Sequence, residues 1–122
     1  MGHEFEPLSG KIIEAALEVH KVLGPGFLES IYKKALFVAL RNRHFRCDQE
    51  REIHIFFEGE EVGMHRLDLI VEGQIVVELK AINELEDIHY AQVKSYLKAT
   101  NLRVGLLLNF NSPVLVIKRI VL

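Results

Sequence analysis

The segment of residues 66–80 constrains the fold of this 122-residue chain more than any other. Side chains point alternately to the two faces of a β-strand, and apolar residues alternate in this way on both sides of Glu72-Gly73-Gln74. The segment therefore predicts a β-hairpin with one core face, formed by Leu67, Leu69, Val71, Ile75, Val77 and Leu79. The opposite face carries Arg66, Asp68, Ile70, Val76, Glu78 and Lys80.

The length of the turn decides which residues of this hairpin face each other. A three-residue loop centred on Gly73 makes Val71 and Ile75 the flanking pair. Counting back from that pair places Asp68 directly opposite Glu78. A two-residue loop would put the two carboxylates on opposite faces and turn core residues to solvent, because a shift of one residue exchanges the faces. The apolar pattern therefore predicts the three-residue loop.

Like charges face each other in this register, because it also places Arg66 opposite Lys80. Such pairs destabilise a sheet when they lie directly across from each other. Without a cation between Asp68 and Glu78, we expect the arrangement to destabilise the protein or to raise a carboxyl pKa.

A divalent cation between the two carboxylates would remove the conflict. Mg²⁺ takes carboxylate and carbonyl oxygens and keeps several waters, so Asp68 and Glu78 are candidate ligands. Lys80 would then lie beside the metal, where it could hold a water nucleophile or neutralise a phosphate. The alternative is that Glu78 and Lys80 form an exposed pair on a solvated sheet face, which is common and contributes little.

The rest of the chain predicts helices packed on a central sheet. Apolar residues at helical spacing predict helices over residues 8–23, 28–42 and 85–99, with Ser9 as the N-cap of the first. Strands are predicted over residues 53–57, 62–71, 75–80, 103–109 and 114–121. The order is ααβββαββ, an α/β or α+β domain. We expect residues 1–7 to form an N-terminal tail and residues 8–122 a single domain.

Composition and charge exclude several classes of protein. A hydrophobic fraction of 49% and a charged fraction of 26% are typical of a folded domain. Cys47 is the sole cysteine, which excludes an intramolecular disulfide and a Cys-rich zinc site and favours a cytoplasmic location. No apolar run approaches the ~20 residues that span a bilayer, so no membrane contact is expected. With a net charge of −2, nucleic acid would need a local patch, a bound cation or a partner. The candidate patch is Lys33, Lys34, Arg41, Arg43, Arg46 and Arg51.

Polar residues on two predicted helices could complete a site. Glu29 opens the second helix, three residues before Tyr32, and is a candidate metal ligand. A glutamate in a first turn also simply suits the helix dipole. On the third helix, His89, Gln92 and Tyr96 share one face. Gln92 could orient a phosphate or water with Tyr96 beside it, or Tyr96 could pack and His89 lie on the surface.

Several separated motifs resemble one known family. The segment IIEAALEVHKVLGPGFLESIY, residues 12–32, resembles the opening of the GxxExxY proteins, whose naming motif corresponds to GFLESIY. The segments RLDLIVEGQIVVELKAI, HYAQVKSYL and GLLLNFN resemble the rest, so the likeness covers residues 8–121. That family is assigned to the PD-(D/E)XK nuclease superfamily. The resemblance implies a restriction-endonuclease-like mixed β-sheet flanked by helices.

The resemblance also implies roles for individual residues. Asp68 and Glu78 match the acidic metal ligands, Lys80 the catalytic lysine and Glu29 the acidic residue of the first core helix. Relatives often have a longer, basic connection between the last two strands than residues 111–114 provide.

The third predicted helix carries one further match. Gln92 and Tyr96 resemble the Gln-x-x-x-Tyr element of the superfamily's exonuclease-like branch.

The hypothesis is a nuclease that hydrolyses phosphodiester bonds of DNA or RNA with Mg²⁺, for which Mn²⁺ could substitute. The predicted metal ligands are Asp68, Glu78, the Leu79 carbonyl and Glu29. The predicted catalytic residues are Lys80, Glu78, Asp68 and Gln92, and the predicted substrate contacts are Tyr96, Tyr32, His89 and Arg66. The expected partner is nucleic acid, with a homodimer or a partner protein. The alternative is a non-catalytic module that binds nucleic acid or protein, which the acidic net charge and small size favour.

Overall fold

The computed structural model describes residues 6–122 of the chain. The elements are α1 (Glu6–Leu23), α2 (Glu29–Asn42), β1 (Cys47–Phe57), β2 (Glu60–Val71), β3 (Ile75–Lys80), α3 (Asp87–Thr100), β4 (Val104–Asn109) and β5 (Val116–Val121). The predicted order ααβββαββ is confirmed. Residues 1–5 of the predicted tail lie outside the described residues. No helix in the described range is long and apolar enough to cross a membrane.

The five strands form one mixed sheet in the order β1-β2-β3-β4-β5. Neighbouring strands are antiparallel, except that β3 and β4 run parallel. Parallel neighbours need a crossover connection, and here α3 provides it. The predicted mixed sheet flanked by helices is therefore confirmed.

Helices cover both faces of this sheet. On one face α1 and α2 bury a core that includes Ile12, Leu36 and Leu69. On the other face α3 packs Val93 and its neighbours against the sheet. The strand face opposite the predicted core face is therefore also buried, because α3 covers it.

A backbone irregularity in β1 and β2 changes the predicted alternation. Leu67 packs in the α3 core, whereas Leu69 belongs to the α1–α2 core. The β1–β2 pairing omits Glu50 and Asp68, and Glu50 has φ 49°, in the left-handed region. The prediction that Leu67 and Leu69 share one face was wrong, because the strand pair is interrupted between them.

Two other local predictions were wrong. Helix α1 begins at Glu6, so Ser9 lies inside it rather than at its N-cap. There the Ser9 hydroxyl is buried and accepts a hydrogen bond from Arg119. Strand β1 begins at Cys47, six residues before the predicted start, because pairing with β2 extends it through a polar segment without alternation.

Beyond the irregularity, β1 and β2 continue as a two-stranded ribbon, which we call the arm (residues 52–57 and 60–66). Pairing of β2 with β3 involves residues 69–71 of β2, so along the arm β2 pairs with β1. Phe56, Phe57 and Val62 are exposed on the arm.

Candidate functional site

The hairpin of β2 and β3 has the predicted register. Val71 pairs with Ile75 and Leu69 with Val77, on either side of a turn centred on Gly73. Gly73 has φ 64°, a left-handed conformation that glycine adopts without steric cost. The three-residue loop is therefore confirmed.

Asp68 and Glu78 are the next residues along the two strands, and their side chains hold the strands together. The Asp68 N–H donates to Glu78 Oε1 at 2.9 Å, and the Leu79 N–H donates to Asp68 Oδ2 at 2.9 Å. Asp68 is 7% exposed and Glu78 is 3% exposed. Each carboxylate thus binds a main-chain N–H of the opposite strand, which fixes the orientation of the pair.

Burial and mutual repulsion act strongly on this pair. Burial, followed by the negative charge of Asp68, raises the pKa of Glu78 to about 8. The Asp68 N–H and the charge of Lys80 lower that pKa but do not cancel the rise. The raised carboxyl pKa expected for two facing carboxylates is therefore found at Glu78, and it favours the protonated form of that carboxyl.

A lysine of α2 supplies the positive charge beside the pair. Lys33 Nζ lies 2.8 Å from Asp68 Oδ1, 3.2 Å from Glu29 Oε2 and 3.9 Å from Glu50 Oε2. Burial lowers the pKa of Lys33, but hydrogen bonds and charge attraction from Asp68 and Glu29 outweigh burial and raise it. The compensating cation in this structure is therefore an ammonium group.

The sequence predicts Lys33 only as one member of a basic stretch, so its place beside Asp68 was missed. One local signal was available, because Lys33 follows Glu29 at i,i+4 and the two form an ion pair on one helix face. The contact with Asp68 depends on how α2 packs on the sheet, which no local pattern encodes.

Glu29 reaches the pair through the Lys33 ammonium, since both Glu29 and Asp68 contact Nζ. In the described part of the chain, no group of three His, Cys, Asp or Glu side chains is gathered as a metal site would require. The predicted three-carboxylate arrangement of Glu29, Asp68 and Glu78 is therefore not formed here.

Strand β3 positions Leu79 and Lys80. The N–H and C=O of one strand residue point to the same neighbouring strand, so the Leu79 carbonyl faces β2 as its N–H does. The Lys80 carbonyl accepts a hydrogen bond from the Phe110 N–H at 2.9 Å, which fixes the end of β3 against the next segment. The Lys80 ammonium is close enough to Glu78 to lower its pKa.

Helix α3 brings two further polar groups to the same region. Burial, and then the charges of Glu78 and Asp68, raise the pKa of Tyr96 to about 12. Gln92 is one turn earlier on the helix, and its Oε1 is buried without a hydrogen-bond partner among the described residues. Such unpaired acceptors are rare in folded proteins.

The side chains of Tyr32 and His89, two further predicted substrate contacts, form hydrogen bonds with main-chain groups near their own helices. The Tyr32 hydroxyl donates to the Gly24 carbonyl and accepts from the Phe27 N–H, and its ring is fully buried. These bonds hold the loop that connects α1 and α2. His89 Nδ1 accepts from the Glu86 N–H at 2.8 Å, which caps the start of α3.

Arg66 lies on the arm. It forms an ion pair with Glu52 at 2.7 Å, its partner across the β1–β2 pairing. The predicted opposition of Arg66 and Lys80 was wrong, because the β2–β3 pairing ends at Leu69 before it reaches Arg66.

The oxygen donors of the site are compatible with a hard divalent ion. Asp68 Oδ2 and Glu78 Oε1 are engaged by main-chain N–H groups, which leaves one oxygen of each carboxylate for another partner. Asp68 Oδ1 contacts Lys33 in this structure, and the raised pKa of Glu78 favours a proton on its carboxyl. Loss of that proton and displacement of Lys33 would give two carboxylate oxygens beside the Leu79 carbonyl, a donor set that suits Mg²⁺.

Comparison with known proteins places the chain in a family. No curated protein matches it. A solved structure titled "Crystal structure of SSO0001" is similar with a TM-score of 0.60 and 19% identity, over 96% of this chain and 59% of that one. At this identity the likeness shows the fold alone, and the chain spans 59% of the length of that structure. A family model described as the PD-(D/E)XK nuclease superfamily matches residues 6–120. Because this match covers nearly the whole chain, the protein belongs to the PD-(D/E)XK nuclease superfamily.

Proposed function

We propose that this protein is a Mg²⁺-dependent nuclease, able to use Mn²⁺, that hydrolyses phosphodiester bonds of DNA or RNA. The observation that carries the proposal is the buried Asp68–Glu78 pair, oriented by main-chain N–H groups where the β2–β3 pairing ends. Lys80 follows on the same strand, and superfamily membership supports the same chemistry. Membership of the GxxExxY branch and a cytoplasmic location are finer parts of this proposal.

Three groups of the chain would hold the ion: the carboxylates of Asp68 and Glu78 and the carbonyl of Leu79. A bound divalent ion supplies Lewis-acid activation of water and stabilises negative charge on the phosphate. Glu29 would act through Lys33, whose ammonium it contacts, rather than as a direct ligand.

The other polar side chains would act on water and phosphate. Lys80 would position the attacking water or neutralise a phosphate oxygen, since its charge already acts on Glu78. Gln92 Oε1 is a buried acceptor in need of a donor, which a water could supply. The Tyr96 hydroxyl, which is protonated at neutral pH, would donate to a phosphate oxygen.

Substrate would approach where β3 ends. A cleft of about 600 Å³ lies there, lined by residues 81–84 with Glu86, His89 and Asn111. His89 therefore stays a proposed substrate contact. Tyr32 and Arg66 do not, because Tyr32 is hydrogen-bonded to the Gly24 carbonyl and Arg66 is paired with Glu52. With a net charge of −2, a second copy of the chain or a partner protein would add the basic surface for nucleic acid.

Cleavage assays test the proposal. Single- and double-stranded DNA and RNA are incubated with the protein and Mg²⁺ or Mn²⁺, and products are resolved on gels. Glu78→Gln and Lys80→Met should abolish cleavage, whereas Lys98→Met, an exposed lysine late in α3, should not. Metal-dependent cleavage that survives both site substitutions contradicts the assignment.

A binding module without catalysis is the second candidate. The observation that favours it is that the Lys33 ammonium already contacts Asp68 and that the pKa of Glu78 is raised, so an ammonium and a proton both compete with a metal for the pair. Calorimetry with Mg²⁺ and Mn²⁺ separates the two candidates. Absence of metal binding at millimolar concentration, with nucleic-acid or protein binding retained, would favour this second candidate.

A further inference from the structure

We propose that Lys33 is a tethered competitor of the metal: its ammonium holds Asp68 in the metal-free protein and has to leave before a divalent ion binds there. The inference rests on the proposed function, because it takes Asp68 as a metal ligand. It adds a residue that sets how tightly the site binds metal.

The contacts of Lys33 resemble those of a cation in an acidic cage. Three carboxylates from three elements surround Nζ: Asp68 of β2 at 2.8 Å, Glu29 of α2 at 3.2 Å and Glu50 of β1 at 3.9 Å. An ammonium and a divalent ion prefer the same carboxylate oxygens. They also repel each other, so Asp68 Oδ1 cannot serve both at once.

The backbone around the cage is adapted to this arrangement. Glu50 has a left-handed φ of 49°, and the β1–β2 pairing omits both Glu50 and Asp68. At this irregularity a glutamate of β1 lies within reach of the Lys33 ammonium.

Lys33 also has a second position available. Its side chain is 27% exposed, while the side chains of Glu29 and Glu50 are 38% and 50% exposed. The ammonium can therefore leave the buried Asp68 and keep both solvent-accessible carboxylates as partners. In that position it stays beside the site and is able to pair with an incoming phosphate.

In competition of this kind, the apparent Kd for the metal equals the intrinsic Kd divided by the fraction of molecules in which Asp68 is free. If Lys33 occupies Asp68 in nine molecules out of ten, the apparent Kd for the metal is about tenfold higher than the intrinsic Kd. Removal of the ammonium should therefore tighten metal binding by about tenfold.

Calorimetric titration of the full chain with Mn²⁺ tests this, with Lys33→Met against Lys34→Met as the matched control. Lys34 is the next residue of α2 and is exposed, so its removal changes the net charge equally. We expect about tenfold tighter binding in Lys33→Met and wild-type affinity in Lys34→Met. Lys33→Arg, which keeps a cation, should retain weak binding.

Two results overturn the inference in different ways. Equal Mn²⁺ affinity in wild type and Lys33→Met overturns the role of Lys33 while the metal site stands. Absence of Mn²⁺ binding in both proteins, at millimolar concentration, overturns the metal site itself and the inference with it.

A measurement on the wild-type protein covers the case in which Lys33→Met does not fold. The rate of reductive methylation of each lysine is followed by peptide mass spectrometry, with and without saturating Mg²⁺. Mg²⁺ should accelerate methylation of Lys33 and leave Lys34 unchanged, because Lys33 loses its buried partner. An unchanged or slower rate at Lys33 overturns the inference.

Discussion

The candidate site and the arm both place charged side chains opposite each other on antiparallel strands, but they differ in burial. On the arm, Glu52 pairs with Arg66 at 2.7 Å, and both side chains are about half exposed. At the site, Asp68 and Glu78 are buried, and burial raises the pKa of Glu78 to about 8. Opposite charges in water form a weak pair. Two buried carboxylates repel each other, so the pair is stable only when a proton, an ammonium group or a metal ion offsets the repulsion.

The largest expected difference between the two regions is in activity. Glu78→Gln removes a proposed metal ligand but keeps an oxygen for the Asp68 N–H, so we expect cleavage to fall at least about 100-fold with little loss of folding. Glu52→Gln on the arm should change the rate less than about twofold. Single-turnover cleavage rates with Mg²⁺ measure both. Equal losses in the two variants would remove the functional distinction between site and arm.

The next difference is in the pH dependence of stability without metal. Glu78 has a folded-state pKa of about 8, above its ordinary value of 4.5, so the folded state binds the proton more tightly. Stability should therefore fall as pH rises from about 4.5 to about 8, by at most about 1.4 kcal/mol per pH unit. Urea unfolding of wild type and Glu78→Gln over this range isolates the contribution, which the variant should lack.

Glu52→Gln serves as the control for this pH dependence. Its curve should run parallel to that of wild type, since Glu52 lies on the exposed arm. A Glu78→Gln curve that is also parallel to wild type would show that titration of Glu78 does not contribute to the pH dependence of stability.

A smaller difference is expected in the stability that each region loses when its cation, Lys33 at the site or Arg66 on the arm, is removed. Lys33→Met leaves the buried Asp68 carboxylate without its ammonium and should reduce the free energy of unfolding of the metal-free protein by about 2 kcal/mol. Arg66→Met should cost less than about 1 kcal/mol, because its partner is well hydrated. Chemical denaturation at pH 7.5 measures both. A larger loss for Arg66→Met would reverse the comparison.

The smallest effect concerns the unpaired acceptor on α3. Gln92→Met removes a buried oxygen without a partner and should stabilise the metal-free protein by up to about 1 kcal/mol. Gln49→Met, at an exposed position of β1, should leave stability unchanged. Thermal melting measures the two variants. Destabilisation by Gln92→Met would mean that the oxygen is already satisfied in solution.

Patterns confined to the hairpin could be predicted from the sequence. Strict apolar alternation on both sides of Gly73 fixed the three-residue loop, and the loop in turn fixed the register that places Asp68 near Glu78. The raised carboxyl pKa followed from that register. These predictions succeeded because each depends on neighbouring residues and on a core face that tolerates no shift.

Features that depend on packing between elements were not predictable in this way. The Lys33 contact requires α2 to lie against the strand that carries Asp68. The changed side-chain face at Leu67 coincides with an interruption of the β1–β2 pairing at Glu50 and Asp68. Glu50 has a left-handed φ there, without the glycine or asparagine that usually signals such a conformation. The early start of β1 comes from pairing with β2 rather than from its own polar sequence.

The two main-chain N–H groups that bind the carboxylates give this protein an internal reporter. The amide protons of Asp68 and Leu79 are hydrogen-bonded to the two groups that a metal would engage. Their chemical shifts and exchange rates in nuclear magnetic resonance should therefore respond to protonation of Glu78 and to metal loading. Occupancy of the site could be followed at two known amides, without a substrate and without any engineered label.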